Sequence, residues 1–179
     1  MQNNWFIPLL AAPALVCVAP SYAAQYLTIE QAQKLMFPNA DGFAAQAVAL
    51  DARLKRAIKE RSGVAVRNDS QPVWRVQAGG KQLGWFIVDE VIGKHEFITY
   101  ALALDMSGAI LGVEIMDYRE THGHEVRNAK WRAQFKGKRA GEAFELDEDI
   151  QNISGATLSC KHIADGAKRL VALYEAALR

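Results

Sequence analysis

Near its C-terminus the chain reads Ile153-Ser154-Gly155-Ala156-Thr157-Leu158-Ser159, a short turn running straight into an apolar-periodic helix with a threonine in its first turn. The first turn of a helix holds backbone N–H groups without intrahelical partners and the positive end of the helix dipole. A phosphate is therefore stabilised there without any lysine. A hydroxyl beside such a site can carry that phosphate as an ester, and Thr157 is the residue placed to do so. Ser154 is a good N-cap, which predicts Thr157 at the third helical position. Thr157 then lies about 100° around the helix from Ala156 and Leu158, beside the buried stripe and open to a cleft.

Other reactive side chains offer less. No Gly-x-Ser-x-Gly elbow surrounds Ser154 or Ser159, so neither is expected to act as a hydrolytic nucleophile. His122 and His124 in an extended loop point to opposite sides. With His95 and His162 far off in sequence, no Cys pair or Glu stands at ligand spacing, and no metal site is expected. Hydrogen bonding to a cofactor is the milder role open to the histidines. Cys160 falls on an apolar stripe and reads as an inert buried thiol. Trp85, Trp131 and Tyr118 are rings that could stack on a flat cofactor, with Trp85 better suited to the core.

The Ser-Gly-Ala-Thr turn, taken with Glu120-Thr121-His122-Gly123-His124 and with Phe135-Lys136-Gly137-Lys138, resembles the covalent-flavin domain of the sodium-translocating NADH:quinone reductase and of the related Rnf electron-transport complex. The similarity spans about residues 72 to 175. It implies FMN as cofactor, carried as a phosphoester on Thr157. Ser154, Gly155 and Ala156 would form the turn that lets the phosphate approach, with Leu158 beside them. Glu120, Thr121 and Gly123 would form the opposing loop, and Lys136 and Lys138 would contact phosphate or ring. It also implies a flavin transferase for attachment and membrane-bound electron-transport proteins as partners, with no catalytic acid or base. The chain departs from that family at Gln151, where an aspartate usually stands six residues before the threonine, and at His122, often a proline.

These residues must be positioned by a fold. No charged side chain precedes Glu30, and an apolar run from Trp5 through Ala19 ends in Ser21-Tyr22-Ala23. Residues 1–23 read as a signal peptide, with an uncleaved anchor or a lipoprotein through Cys17 as alternatives. Residues 24–179, about 155 in number, make one domain with its own core. With 21 Lys plus Arg against 20 Asp plus Glu, nothing argues for nucleic-acid binding. Only Cys160 remains after cleavage, so no internal disulfide can form.

Thr28 with Gln31 predicts a capping box and a short helix ending before Pro38. Phe43, Ala47, Leu50, Leu54 and Ile58 at helical spacing predict a second helix over about 41–61, with Gly63 after it. From Pro72 the pattern turns to period two, and turn signals at Gly79-Gly80, Gly93-Lys94 and Ser107-Gly108 separate four strands, about 73–77, 82–91, 96–105 and 109–118. In the second of these both parities are apolar, so both faces should be covered. A short helix is expected over about 128–135. Residues 119–140 are rich in Lys and Arg and residues 142–149 in Asp and Glu, a segregation that suits a solvated surface, a positive patch beside a flavin phosphate or a docking patch for a redox partner. Ala156, Cys160, Ile163, Ala167, Leu170, Tyr174 and Leu178 define the buried stripe of a final helix.

The expected architecture is α+β: an antiparallel sheet of four or more strands with packed helices and a C-terminal helix following the attachment turn. The expected function is an exported, periplasmic FMN-binding electron carrier, peripheral to the inner membrane. A flavin-free scaffold module of a membrane redox complex and a small FMN-dependent reductase are the alternatives.

Overall fold

The computed structural model describes residues 24–179, so the expected leader, residues 1–23, lies outside the described residues. A six-stranded antiparallel sheet forms the frame, in the order β1-β6-β5-β4-β3-β2. Its centre is an uninterrupted meander of β3 (Ser70–Ala78), β4 (Lys81–Ile92), β5 (Phe97–Asp105) and β6 (Ile110–Tyr118). These are the four expected strands, each within three residues of its expected ends. β1 (Ala24–Gln25) adds to the outer edge of β6, with Ala24 opposite Tyr118.

The opposite edge differs from expectation. Gly42–Ala49 is a strand, β2, paired with β3 from Gly42 opposite Gln77 to Ala49 opposite Ser70. Only the second half of the expected helix is helical, as α2 (Ala52–Ser62), with Asp51 accepting the Leu54 N–H at its start and Gly63 ending it. The segment Gly42-Phe43-Ala44-Ala45-Gln46-Ala47-Val48-Ala49 has apolar residues of both parities, so spacing alone fits helix or strand. The unpaired edge of β3 offers a ladder that an eight-residue helix could not replace.

Two helical layers cover the sheet. On the outer face α1 (Ile29–Met36), started by the Thr28/Gln31 capping box, brings Ala32 and then Phe37 onto Val76, Phe86, Ala101, Ala103 and Met116. The inner face, with Ile87, Ile98, Tyr100, Leu102 and Val113, packs on α2 and on the long α4 (Thr157–Leu173), which continues as a π-turn over Tyr174–Leu178. Every residue of the expected stripe on the last helix is buried. That burial contributes about 1.5–3 kcal/mol for each large aliphatic side chain. β4 thus has apolar residues on both parities because both faces are covered, the inner by α4 and the outer by the rings of Phe43 and Trp74 against Phe86.

A polar triad crosses the inner core. The Asp89 carboxylate on β4 accepts the Tyr100 hydroxyl at 2.5 Å and pairs with the Arg169 guanidinium on α4, and the Asp89 side chain is fully buried. Burial, with Asp89 beside it, pushes the Tyr100 phenol well above its usual 10.0.

Between β6 and α4 the chain passes through a 3-10 turn (His124–Arg127), α3 (Ala129–Arg132) and a second 3-10 turn (Ala133–Phe135), as the short helix expected there requires. Trp131 Nε1 donates to Gln151 O at 2.7 Å, and Gln151 N donates to Gln134 Oε1 at 2.7 Å. The basic and acidic segments touch through Lys138, which pairs with Asp149, whereas Arg132 pairs with Glu114 on β6 and Glu145 with Lys168 on α4.

Candidate functional site

In an antiparallel meander the β4–β5 turn and the chain leaving β6 lie at the same end of the sheet, and the start of α4 arrives there too. The three meet around a cavity of about 470 Å³, within the roughly 300–1,000 Å³ of small-molecule sites. Lys94 and His95 supply one wall, Glu120, Thr121 and His122 another, and the turn from Gly155 through Ser159 the third.

The helix wall is the most informative. Gly155 takes a left-handed φ of 84°, Ala156 N donates to Ile153 O at 2.9 Å, and the helix begins at Thr157 with Ala156 in the capping position. Ser154 is therefore an exposed turn residue and not the N-cap, and Thr157 occupies the first helical position and not the third. The left-handed glycine reverses the chain between Ser154 and the helix, which takes the serine hydroxyl out of reach. No side chain caps α4. The first helical bond is Cys160 N to Ala156 O, so the amides of Thr157, Leu158 and Ser159 precede the ladder and meet the cleft without a capping partner. Thr157 and Leu158 are exposed and Ser159 is buried, its hydroxyl 3.2 Å from that of Tyr118.

The loop wall is held from behind. Tyr118 donates to His122 O at 2.5 Å and packs at a tilt against His124, ring centroids 5.3 Å apart. Gly123, at φ 89°, lets the loop lie on α4: a Cβ there would stand 2.5 Å from the Tyr118 hydroxyl and 2.8 Å from Ala156 Cβ. Gly123→Ala should cost about 1–3 kcal/mol, from the left-handed backbone and the displaced loop together. A denaturant midpoint unchanged from wild type would show that the loop has room there.

Glu120 is 6% exposed and lines the cavity, but Oε1 is engaged with the β4–β5 turn, accepting His95 N at 2.5 Å and Glu96 N at 3.0 Å. Burial acts to raise its pKa. The backbone N–H bonds from Glu96 and His95 outweigh that, and the carboxyl is held below its ordinary value.

Lys136 is not at this site. Gly137 N donates to Ile110 O at 2.7 Å and Ile110 N to Lys138 O at 2.9 Å, which fixes the Lys136–Lys138 turn to the start of β6. The cleft loop follows the other end of that nine-residue strand, about 25 Å away. Lys138 is spent on Asp149 and lies over the Phe144 ring. The positive patch expected beside a phosphate is thus elsewhere. Tyr118 and Trp131 are buried with their polar tips in use, so neither presents a ring to the cleft. Lys94 and Ser159 line the cleft although neither belongs to the binding residues expected from the motifs. The topological signal was available for Lys94, since a Gly-Lys turn between the second and third expected strands must sit at the end where the fourth strand exits.

Cys160 is fully buried below this wall, and burial pushes its thiol up to about 11. A thiol reagent at neutral pH should leave Cys160 unmodified until the protein unfolds, as read by peptide mass. Rapid native labelling would contradict the packing. Among the described residues no cluster of His, Cys, Asp or Glu is arranged to hold a metal ion.

Residues 93–172 match the family model described as FMN-binding domain. This chain carries an FMN-binding domain. The matched segment opens at the β4–β5 turn and closes within α4, and so contains all three walls of the cleft. FMN is the cofactor, and the walls fit it: amides without a cap suit the phosphate, and Lys94, His95 and His122 offer donors, while the one carboxylate, Glu120, has an oxygen turned to backbone N–H groups. The fold is shared with NqrC of Shewanella oneidensis, at 16% identity and a TM-score of 0.54 over 80% of this chain and 84% of that one. It is shared also with a Na(+)-translocating NADH-quinone reductase subunit of Parabacteroides distasonis, at 14% identity and a TM-score of 0.52 over 83% of each chain. No curated protein sequence matches the chain.

Proposed function

We propose that this FMN-binding domain is an electron-transfer subunit or carrier that holds its flavin covalently, as a phosphoester on Thr157. It would work in the periplasm after export by the residue 1–23 leader, peripheral to the inner membrane, and exchange electrons with membrane-bound redox proteins. The observation that carries the covalent reading is an exposed Thr157 hydroxyl group at the first position of an uncapped helix, on the wall of the FMN cleft. The fold shared with NqrC and with a subunit of a Na(+)-translocating NADH-quinone reductase supports the electron-transfer reading.

FMN supplies the redox chemistry; the protein binds it, orients it and sets its environment. The amides of Thr157, Leu158 and Ser159 would receive the phosphate, and the Gly155 turn lets it approach the backbone. The loop from Glu120 to His122 closes the opposite side. A dedicated flavin transferase would make the ester, with Gln151 in the place where its target motif usually carries an aspartate.

The test is intact mass with an absorbance spectrum on protein exported from a host expressing such a transferase, before and after denaturation. A gain of FMN less one water, with yellow colour surviving denaturation, is the expected result. Colour lost on denaturation would replace the ester with dissociable FMN, and a colourless, unmodified chain would favour a flavin-free scaffold.

A further inference from the structure

Outside the helix wall, the cleft is shaped by an unusual tie between two loops. Glu120 belongs to the segment after β6, yet its carboxylate reaches into the β4–β5 turn and accepts the N–H groups of His95 and Glu96. The turn is itself closed by Gly93 N donating to Glu96 O at 2.7 Å. Gly93 is shaped to this tie, because a Cβ there would stand 2.5 Å from Glu120 Oε1. With both amides pulled toward Glu120, the side chains of Lys94 and His95 are left on the cavity wall. Lys94 is exposed and makes no ion pair among the described residues.

Building on the FMN reading of this cleft, we infer that Lys94 is the cation that faces the flavin ring, and that Glu120 is the positioning residue that holds it there through the backbone of the β4–β5 turn. The helix start already receives the phosphate without help from a lysine. A second positive group is then free to act on the ring, where negative charge develops on reduction. A cation on that wall favours the reduced form, and exclusion of water by the bound ring strengthens the effect.

The holoprotein is compared as wild type, Lys94→Met and Lys94→Arg by spectroelectrochemical titration, with flavin content measured in each. Lys94→Met should shift the midpoint potential to more negative values at full loading, and Lys94→Arg should restore it. In Glu120→Ala the amides of His95 and Glu96 should exchange about tenfold faster or more, having lost their acceptor, whereas Glu120→Gln keeps an acceptor and stays slow. The Lys94→Met shift should also shrink in the Glu120→Ala background. An unchanged potential in fully loaded Lys94→Met overturns the inference. So does loss of FMN with riboflavin still bound, which would place the lysine on the phosphate. Amides that remain slow in Glu120→Ala would dismiss the clamp. A wild-type protein without flavin would defeat the FMN reading itself, while the exchange measurement would still decide the clamp.

Discussion

Thr157→Val is expected to abolish flavin that survives denaturation while moving the melting temperature by no more than a few degrees. Thr157 is exposed and takes part in no side-chain hydrogen bond among the described residues. It occupies the first helical position, where a β-branched residue is tolerated and where its amide needs no intrahelical partner. Valine reproduces the branching and removes only the hydroxyl, so the effect on an ester is all or none. The amides of the helix start remain, and dissociable FMN should still colour the native protein. Denaturation followed by gel filtration separates the cases: flavin travelling with wild-type chain and not with the variant supports the assignment, and flavin still travelling with Thr157→Val would place the linkage elsewhere.

The largest loss of stability should come from Arg169→Leu. Arg169 is the partner of Asp89, whose side chain has no exposure at all and whose Oδ1 finds no hydrogen bond among the described residues. Removing the guanidinium leaves a buried carboxylate with only the Tyr100 hydroxyl, a change that costs about 3–5 kcal/mol. For a domain of this size the melting temperature should fall by roughly 10 °C. Replacing the whole triad, Asp89→Leu with Arg169→Leu and Tyr100→Phe, should recover much of the loss, because a well-packed apolar cluster needs no compensating charge. Equal losses in the single and triple variants would mean that Arg169 acts through packing alone. The triad also sets an alkaline limit. The Tyr100 phenol is raised above its unfolded value of 10.0, so its contribution is complete below pH 10 and declines as pH rises toward the folded value. Tyr100→Phe should weaken that decline in melting temperature.

How much of this was legible in sequence depends on whether the signal was local. Turn glycines and period-two alternation delivered the meander from Ser70 to Tyr118, because hairpin turns and strand faces are encoded by neighbours. The stripe on the last helix was equally plain, and so was the Thr28 capping box. Gly42–Ala49 was misread because its apolar spacing satisfies both periods, and the decision rests on a free edge of β3 that lies about thirty residues ahead. Ser154 was misread for a smaller reason: any residue may precede a glycine, and only the left-handed Gly155 reveals that the helix starts two residues later. Lys136 failed differently, since its place was inferred from likeness and not from its own surroundings. In this chain the Ile110–Lys138 pairing carries that turn to the far end of β6. Gly155 through Leu158 and the Glu120-Thr121 pair line one cleft, and both segments stand out in sequence because they carry motif residues, whereas Lys94 required following the meander to see which turn shares an end with which loop.

Ala156 in the capping position of α4 has a consequence for the protein before any electron moves. Serine, threonine, aspartate or asparagine there would contribute about 1 kcal/mol to the helix, and this sequence forgoes it. On the proposal that the flavin phosphate docks at this helix start, it would supply the missing acceptor, and the cofactor would complete a piece of secondary structure that the polypeptide leaves open. Folding and loading are then linked: a dissociable flavin at a hundred times its dissociation constant adds about 2.7 kcal/mol to the folded state. Newly made chains would therefore be at their most fragile, and most open at residues 157–159, in the interval before the flavin arrives.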